Sequence, residues 1–267
     1  IAEHPKYQVS NLEEIANNFD VVLSTFKISS NTCKTYFPYI FDHLPAHKIN
    51  ENNKQSKLLL SNKTIDSTLI YSNLYAISGS NYGLRRHAIN TLSEINDINF
   101  RWFGRGWELP ISSYIKRSSL RYIRASLLQF PKLSNKAKES YSGILKDKTI
   151  LHIVKSTLAI ENFPTPSDYF TEKFTEPLLY GCIPIYLGST FPQKIKEYIP
   201  KINSSEIFCD NLTEAISLTL ELSKISIIET KLFSDSIRIN INKFIKDSNE
   251  KTNLLKSADI IMNIINK

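Results

Sequence analysis

Residues 159–189 read AIENFPTPSDYFTEKFTEPLLYGCIPIYLGS, and their composition is poorly suited to a plain core element. Two carboxylates (Glu161, Glu172), an amide (Asn162), a phenol (Tyr169) and an ammonium (Lys173) are gathered just ahead of an apolar helical segment and a β-branched strand. A carboxylate and an amide bind sugar hydroxyls, and an ammonium neutralises a diphosphate. Glu172 suits the first turn of a helix, where the dipole favours an anion. Lys173 in the same turn is disfavoured by a few tenths of a kcal/mol, about 0.3 or more. Its position is better explained if it reaches forward to an anionic ligand. A second chemistry-bearing stretch is SGSNYGLRR, residues 78–86. It sets Arg85 and Arg86 at a turn opening a helix, where unpaired N–H groups and the positive end of the dipole attract anions. A guanidinium adds a bidentate fork suited to phosphate. The stretch is not a full G-x-G-x-x-G and lacks the lysine and hydroxyl pattern of a P-loop.

Metal-binding patterns are missing. His4, His43, His47, His87 and His152 show neither H-x-x-x-H on a helix nor H-E-x-x-H; His43 and His47 are four apart but flank Pro45. There is no Asp-x-Asp element to hold a divalent ion on a diphosphate. Arg85 and Lys173 are therefore expected to supply the positive charge, with no metal and no cofactor.

The elements that would position these residues alternate strand and helix. NLEEIANNF (11–19) reads as an amphipathic helix and DVVLSTF (20–26) as a buried strand; residues 45–68 are polar and read as a loop or linker. LYAIS (74–78) reads as a strand, LRRHAINTLSEI (84–95) as a helix burying Leu84, Ala88, Leu92 and Ile95, and INFRWFG (98–104) as a second strand. This is a βαβ unit of the kind that builds nucleotide-binding α/β folds. Residues 149–161 supply further strand, leading to a loop with Pro164 and Pro166. A helix follows around 172–181, then the strand PIYLG (184–188), with helices over 211–225 and 257–267.

The chain has 267 residues, 42% hydrophobic and 22% charged, as expected of a globular protein with no apolar run long enough for a helical membrane span. Cys33, Cys182 and Cys209 show no C-x-x-C spacing, which favours a reduced compartment, and Cys182 reads as core. The net charge of +7 calls for an anionic partner. Residues 114–138 concentrate basic groups, with Arg121 and Arg124 among leucines at helical spacing. The plain reading is a solvated basic face; the sharper one is contact with anionic lipid headgroups or lipid-linked sugars. No nucleic-acid motif appears, so nucleic acid is not expected as a partner.

These stretches together resemble the α1,3/4-fucosyltransferases, glycosyltransferase family 10, in a bacterial-type form. The likeness rests on Glu161-Asn162, on the Tyr-x-Thr-Glu-Lys block of Tyr169, Thr171, Glu172 and Lys173, and on the strand GCIPIYLG after the helix. Upstream, Asn81-x-x-x-Arg85 resembles the family's phosphate-binding segment, which singles out Arg85, and FRWFGRGW resembles its strand ending in an aromatic-glycine pair. About residues 72–210 match. At the other end, Glu3-His4-Pro5 resembles the segment carrying the family's general base, although taken alone Glu3 reads as an exposed terminal residue.

The resemblance implies two Rossmann-like lobes of the GT-B type: an acceptor lobe over 1–68 and a nucleotide-sugar donor lobe over 69–267. It implies inverting transfer of L-fucose from GDP-β-L-fucose to a hydroxyl of an oligosaccharide or glycolipid, α1,3 to GlcNAc or Glc. Glu3 would be the base and Glu172 would stabilise the sugar cation. Arg85, Glu161, Asn162, Tyr169, Thr171, Glu172 and Lys173 would bind the donor. A cytoplasmic protein, peripheral on the inner membrane face through 114–138, is the expected setting. Two features depart from the family. Pro177 is unusual in the helix after Lys173, so the helix is expected to restart near it. The strand expected before Glu3 is missing, so the first lobe is expected to be incomplete. A transferase using another nucleotide sugar would share the phosphate residues, and a non-catalytic sugar- or nucleotide-binding module is the alternative of a different class.

Overall fold

The computed structural model describes residues 22–24, 33–35, 63–72, 81–107, 131–146, 148–165, 172–189, 199 and 206–251. Within them lies a five-stranded, all-parallel sheet built from β3 (Ile65–Ile70), β4 (Phe100–Phe103), β5 (Val154–Thr165), β6 (Ile183–Ser189) and β7 (Phe208–Cys209), in the order β4-β3-β5-β6-β7. A separate parallel pair joins β1 (Val22–Ser24) to β2 (Cys33–Thr35). The helices are α1 (Tyr82–Glu94), α2 (Asn135–Glu139), α3 (Glu172–Leu179), α4 (Leu212–Lys224) and α5 (Ile227–Lys251). The fold class is therefore α/β with a parallel sheet.

Topology decides where a site can form. The β3–α1–β4 crossover moves one way along the sheet, and β5–α3–β6 moves the other. Crossovers of this kind are right-handed, so α1 and α3 fall on opposite faces. Between β3 and β5 the direction of winding reverses, and a crevice opens beyond the carboxyl ends of those two strands. The sheet is covered on both sides, with core residues such as Leu69, Trp102, Leu158, Ile160, Phe174, Leu178, Ile183 and Ile185 buried. That double cover is why β6 reads as a nearly continuous apolar run.

Several expectations from the sequence are corrected. Residues 65–68, read as linker, are the first part of β3, so the boundary placed at 68/69 falls inside a strand of the large sheet. The polar letters of IDSTLI misled because Asp66 and Thr68 find their partners across the sheet, while the Ser67 hydroxyl is buried without one among the described residues. Thr68 Oγ1 donates to the Arg101 carbonyl at 2.7 Å, and Asp66 accepts from Asn99 N–H at 2.9 Å and pairs with Lys155 at 3.0 Å. In α1 the buried face runs through Tyr82, Arg85, Ala88, Ile89 and Leu92, while Leu84 is exposed. Residues 149–153 form a 3₁₀ turn ahead of β5. β5 continues past Asn162 through Pro164, where its register with β6 shifts between Ile160 and Thr165. A proline is tolerated where the ladder is already irregular.

α3 does not restart at Pro177; the helix is continuous through it. The proline has no N–H to offer the preceding turn, and the helix ends two residues later, with Gly181 in the left-handed region at φ 65°. α5 had no counterpart in the sequence reading. The proposed strand 74–78, the helices 11–19 and 257–267, and residues 114–130 of the basic stretch lie outside the described residues.

Candidate functional site

The carboxyl end of β3 delivers Tyr71, whose N–H donates to the Phe103 carbonyl at 2.8 Å. Beside it the chain leaves β4 through Gly104. A Cβ at Gly104 would lie 1.6 Å from the Tyr71 carbonyl oxygen, so only glycine lets the two strand ends approach. The same carbonyl accepts from Trp107 Nε1 at 2.9 Å. This accounts for the aromatic-glycine pattern of FRWFGRGW as a device that fixes Tyr71. Trp102 belongs to the core, its Nε1 donating to the Ala137 carbonyl at 2.7 Å.

Arg85 enters from the first turn of α1 and is 2% exposed. Its guanidinium lies over the Tyr71 ring at 3.8 Å and the Tyr82 ring at 4.4 Å. Nη2 donates to the Ile160 carbonyl at 2.8 Å and to Asn162 Oδ1 at 2.7 Å. Two of the five guanidinium hydrogens are thus committed to β5, while Nε is buried without a partner. Arg85 is a buried positive charge that ties α1 to β5, rather than an open fork. By occupying Oδ1 of Asn162 it turns the donor end of that amide away from itself. Arg86 takes a different course, donating to the Pro131 carbonyl at 3.4 Å and lying over the Trp107 ring at 5.1 Å.

β5 contributes the next two residues on opposite faces. Glu161 is buried; its Oε2 lies 3.3 Å from Lys173 Nζ, and its Oε1 accepts from the Tyr186 hydroxyl at 2.9 Å. Lys173, in the first turn of α3, also meets Glu172 Oε1 at 3.3 Å. Glu172 is exposed and Lys173 is held beneath it. Burial pulls the Lys173 ammonium pKa down, but the carboxylates of Glu161 and then Glu172 outweigh it and raise it above the ordinary lysine range. Tyr71 is pushed up to about 12, chiefly by burial, against the lowering influence of Arg85 and Lys173. Its hydroxyl oxygen accepts from Ile160 N–H.

Of the residues the sequence singled out, Arg85, Glu161, Asn162, Glu172 and Lys173 are brought to one end of the sheet, around the β3–β5 switch point. Glu3, Tyr169 and Thr171 lie outside the described residues. The sequence reading passed over three participants. Tyr71 and Tyr186 carried no motif signal. Asn81 did, as the first letter of Asn81-x-x-x-Arg85: its N–H donates to the Asn162 carbonyl at 2.8 Å, and its Nδ2 is buried without a partner. Among the described residues no group of three His, Cys, Asp or Glu could hold a metal ion. No helix there is long and apolar enough to cross a membrane.

The chain is 33% identical over 146 residues to alpha-(1,3)-fucosyltransferase B of Drosophila melanogaster. That stretch takes in 54% of this chain and 29% of the fly protein, so the match spans under a third of the relative's length. No family model matches. Among solved structures, trehalose-6-phosphate synthase OtsA is similar at a TM-score of 0.46 and 14% identity, over 85% of this chain and 51% of that one. A T4 phage BGT mutant in complex with UDP-glucose is similar at a TM-score of 0.40 and 15% identity, over 74% of this chain and 48% of that one.

Proposed function

We propose that this chain is an inverting glycosyltransferase that moves L-fucose from GDP-β-L-fucose to a hydroxyl of an acceptor glycan, without a divalent metal. The observation that carries the reading is the pair of cations, Lys173 from α3 and Arg85 from α1, set around one end of a parallel sheet at its switch point. The similarity to an α-(1,3)-fucosyltransferase supports the choice of chemistry and of donor sugar. In the reaction the acceptor oxygen forms a bond to the anomeric carbon of fucose while the bond from that carbon to the diphosphate breaks. The electron pair leaves with GDP. Negative charge develops on the departing diphosphate, and the sugar gains oxocarbenium character, as in glycoside hydrolysis.

Lys173 meets the diphosphate directly. Arg85 contributes its charge from behind and presents the Asn162 amide donors to the nucleotide sugar. Fixed positive groups of this kind, aimed at charge that grows in the transition state, are worth about 10²–10³ in rate each. Glu172, the exposed carboxylate beside Lys173, faces the sugar cation. Glu3 takes the acceptor proton on the opposite face, and Tyr169 and Thr171 bind donor hydroxyls. The two-lobed GT-B arrangement, the α1,3 linkage to GlcNAc or Glc, and a cytoplasmic setting against the membrane through 114–138 belong to the same proposal.

The test is titration calorimetry with GDP-fucose and UDP-glucose, followed by turnover of GDP-fucose in EDTA with Glu3→Ala and Lys173→Ala as controls. Preferential binding of GDP-fucose and EDTA-resistant turnover abolished by both variants are expected. Equal or stronger binding of UDP-glucose, turnover that needs added Mg²⁺, or full activity in Lys173→Ala would overturn the assignment.

A further inference from the structure

We infer that Tyr186 is a positioning residue: through Glu161 it fixes the Lys173 ammonium toward the anionic leaving group, without itself touching a ligand. This rests on the function proposed above. Tyr186 is 1% exposed, in the middle of β6, so no substrate reaches it. Its Cα pairs in register with Ala159 on β5. Glu161 is two residues further on, on the same face and about 6.6 Å along the strand, a distance a tyrosine side chain spans. The small Ala159 leaves the ring room to lean that way. Phe174 packs edge-on at 5.6 Å and Phe208 at 6.1 Å, so the ring direction is set by packing before the hydroxyl makes any bond.

Each of the two Glu161 carboxylate oxygens meets a partner from a different element. Tyr186 donates to Oε1 and Lys173 approaches Oε2. A carboxylate anchored at one oxygen alone can turn about its last torsion and carry its ion-pair partner with it. Anchored at both, it acts as a bracket, and the lysine on the short helix α3 is held at one end of its reach. A misplacement of about 1 Å in such a group costs on the order of 10²-fold in rate.

The experiment compares the full chain with Tyr186→Phe, Glu161→Gln and the double variant. It reads the calorimetric Kd for GDP, the thermal midpoint, and the rate at which Lys173 is acylated by acetic anhydride, followed by mass spectrometry from pH 8 to 11. The acylation readout needs no nucleotide. Tyr186→Phe is expected to melt within a few degrees of the wild type, to bind GDP about tenfold more weakly, and to expose Lys173 to faster acylation. The double variant should lose no more than Glu161→Gln alone, because the hydroxyl acts through the carboxylate. Unchanged GDP affinity and unchanged acylation in Tyr186→Phe overturn the inference, as does a double loss equal to the product of the single losses. If Tyr186→Phe does not fold, Glu161→Gln decides: wild-type GDP affinity and wild-type Lys173 acylation in that variant overturn it equally. A wild-type chain that binds no nucleoside diphosphate overturns the proposed function; the acylation rates then still show whether Tyr186 fixes Lys173.

Discussion

Two lysines, one buried and one half-buried, lie at opposite ends of the same parallel sheet, and they differ in the company they keep. At the carboxyl end, Lys173 lies between Glu161 and Glu172, each at 3.3 Å, and is held charged beyond the ordinary lysine range. At the amino end, Lys63 precedes β3, is 8% exposed, and donates to the Val154 carbonyl at 2.6 Å. Its neighbours include Cys182 and His152, among Ile65, Leu151 and Val154. Burial lowers its pKa, with only a weak counterweight from Cys182, whose thiol is itself pushed up to about 12 by burial. One lysine stays a cation because carboxylates were buried with it. The other ties down a strand end with no carboxylate beside it among the described residues, so burial makes its charge costly to hold. A lysine withdrawn from water therefore points to a ligand only where carboxylates sustain its charge and part of it stays exposed, and of these two lysines Lys173 meets both conditions.

The largest expected effect breaks this contrast directly. Lys173→Ala should lower kcat for fucosyl transfer by about 10²–10³-fold, whereas Lys63→Met should leave it within about threefold, since it removes no group near the leaving diphosphate. Stability should diverge as well. Lys173→Ala strands the Glu161 carboxylate in the interior, a loss of about 3 kcal/mol. Lys63→Met trades one hydrogen bond to a carbonyl for relief of a desolvated charge, two effects of opposite sign and about 1–3 kcal/mol each. Initial-rate kinetics and urea unfolding on both variants check the pair.

How much of this was legible in the sequence differs between the two ends. Glu161, Asn162, Glu172 and Lys173 stood out because charged and amide groups interrupted an apolar strand-helix-strand pattern, and α1, α3, β4 and β6 followed from periodicity. The amino end was illegible. Lys63, Asp66 and Thr68 looked like polar linker because their partners, the carbonyls of Val154 and Arg101 and the Lys155 ammonium, come from strands 33 or more residues away. Tyr186 and Tyr71 were hidden for the complementary reason. A tyrosine in an apolar run reads as core, and only the fold shows where its hydroxyl ends. Arg85 was found, but its acceptors on β5 were not. Local sequence places it at a helix start, and nothing local says that β5 supplies its acceptors.

A smaller effect sharpens the comparison through pH. Lys63 titrates below 10.5 when folded, so between its folded value and 10.5 the unfolded chain holds the extra proton, and stability rises with pH across that window. Lys173 titrates above 10.5 when folded, so its contribution is intact below 10.5 and is lost as pH climbs through the folded value. Wild-type stability relative to Lys63→Met should therefore increase with pH between the folded Lys63 value and 10.5. Relative to Lys173→Met it should stay flat to 10.5 and fall beyond it. Urea midpoints at half-unit pH steps resolve the two slopes, and slopes of the same sign would dissolve the distinction between the two ends.

The smallest expected effect lies on the acid side of the amino end. His152 is buried edge-on to Tyr180 at 4.9 Å, with Nε2 unpartnered. Burial, and secondarily the Lys63 charge, hold its pKa below 6.5. Below pH 6.5 the unfolded chain gains a proton that the folded chain refuses, so stability falls as the pH drops until the folded value is reached, by at most about 1.4 kcal/mol per pH unit. His152→Phe should flatten that part of the profile. Lys63→Met, by removing the nearby charge, should raise the folded His152 value and shrink the same slope, whereas Lys173→Met, at the other end of the sheet, should leave it untouched. NMR titration of the His152 ring protons in the wild type and the two lysine variants measures each shift. An equal response to both lysine substitutions would mean that the two clusters communicate through the sheet rather than acting as separate electrostatic environments.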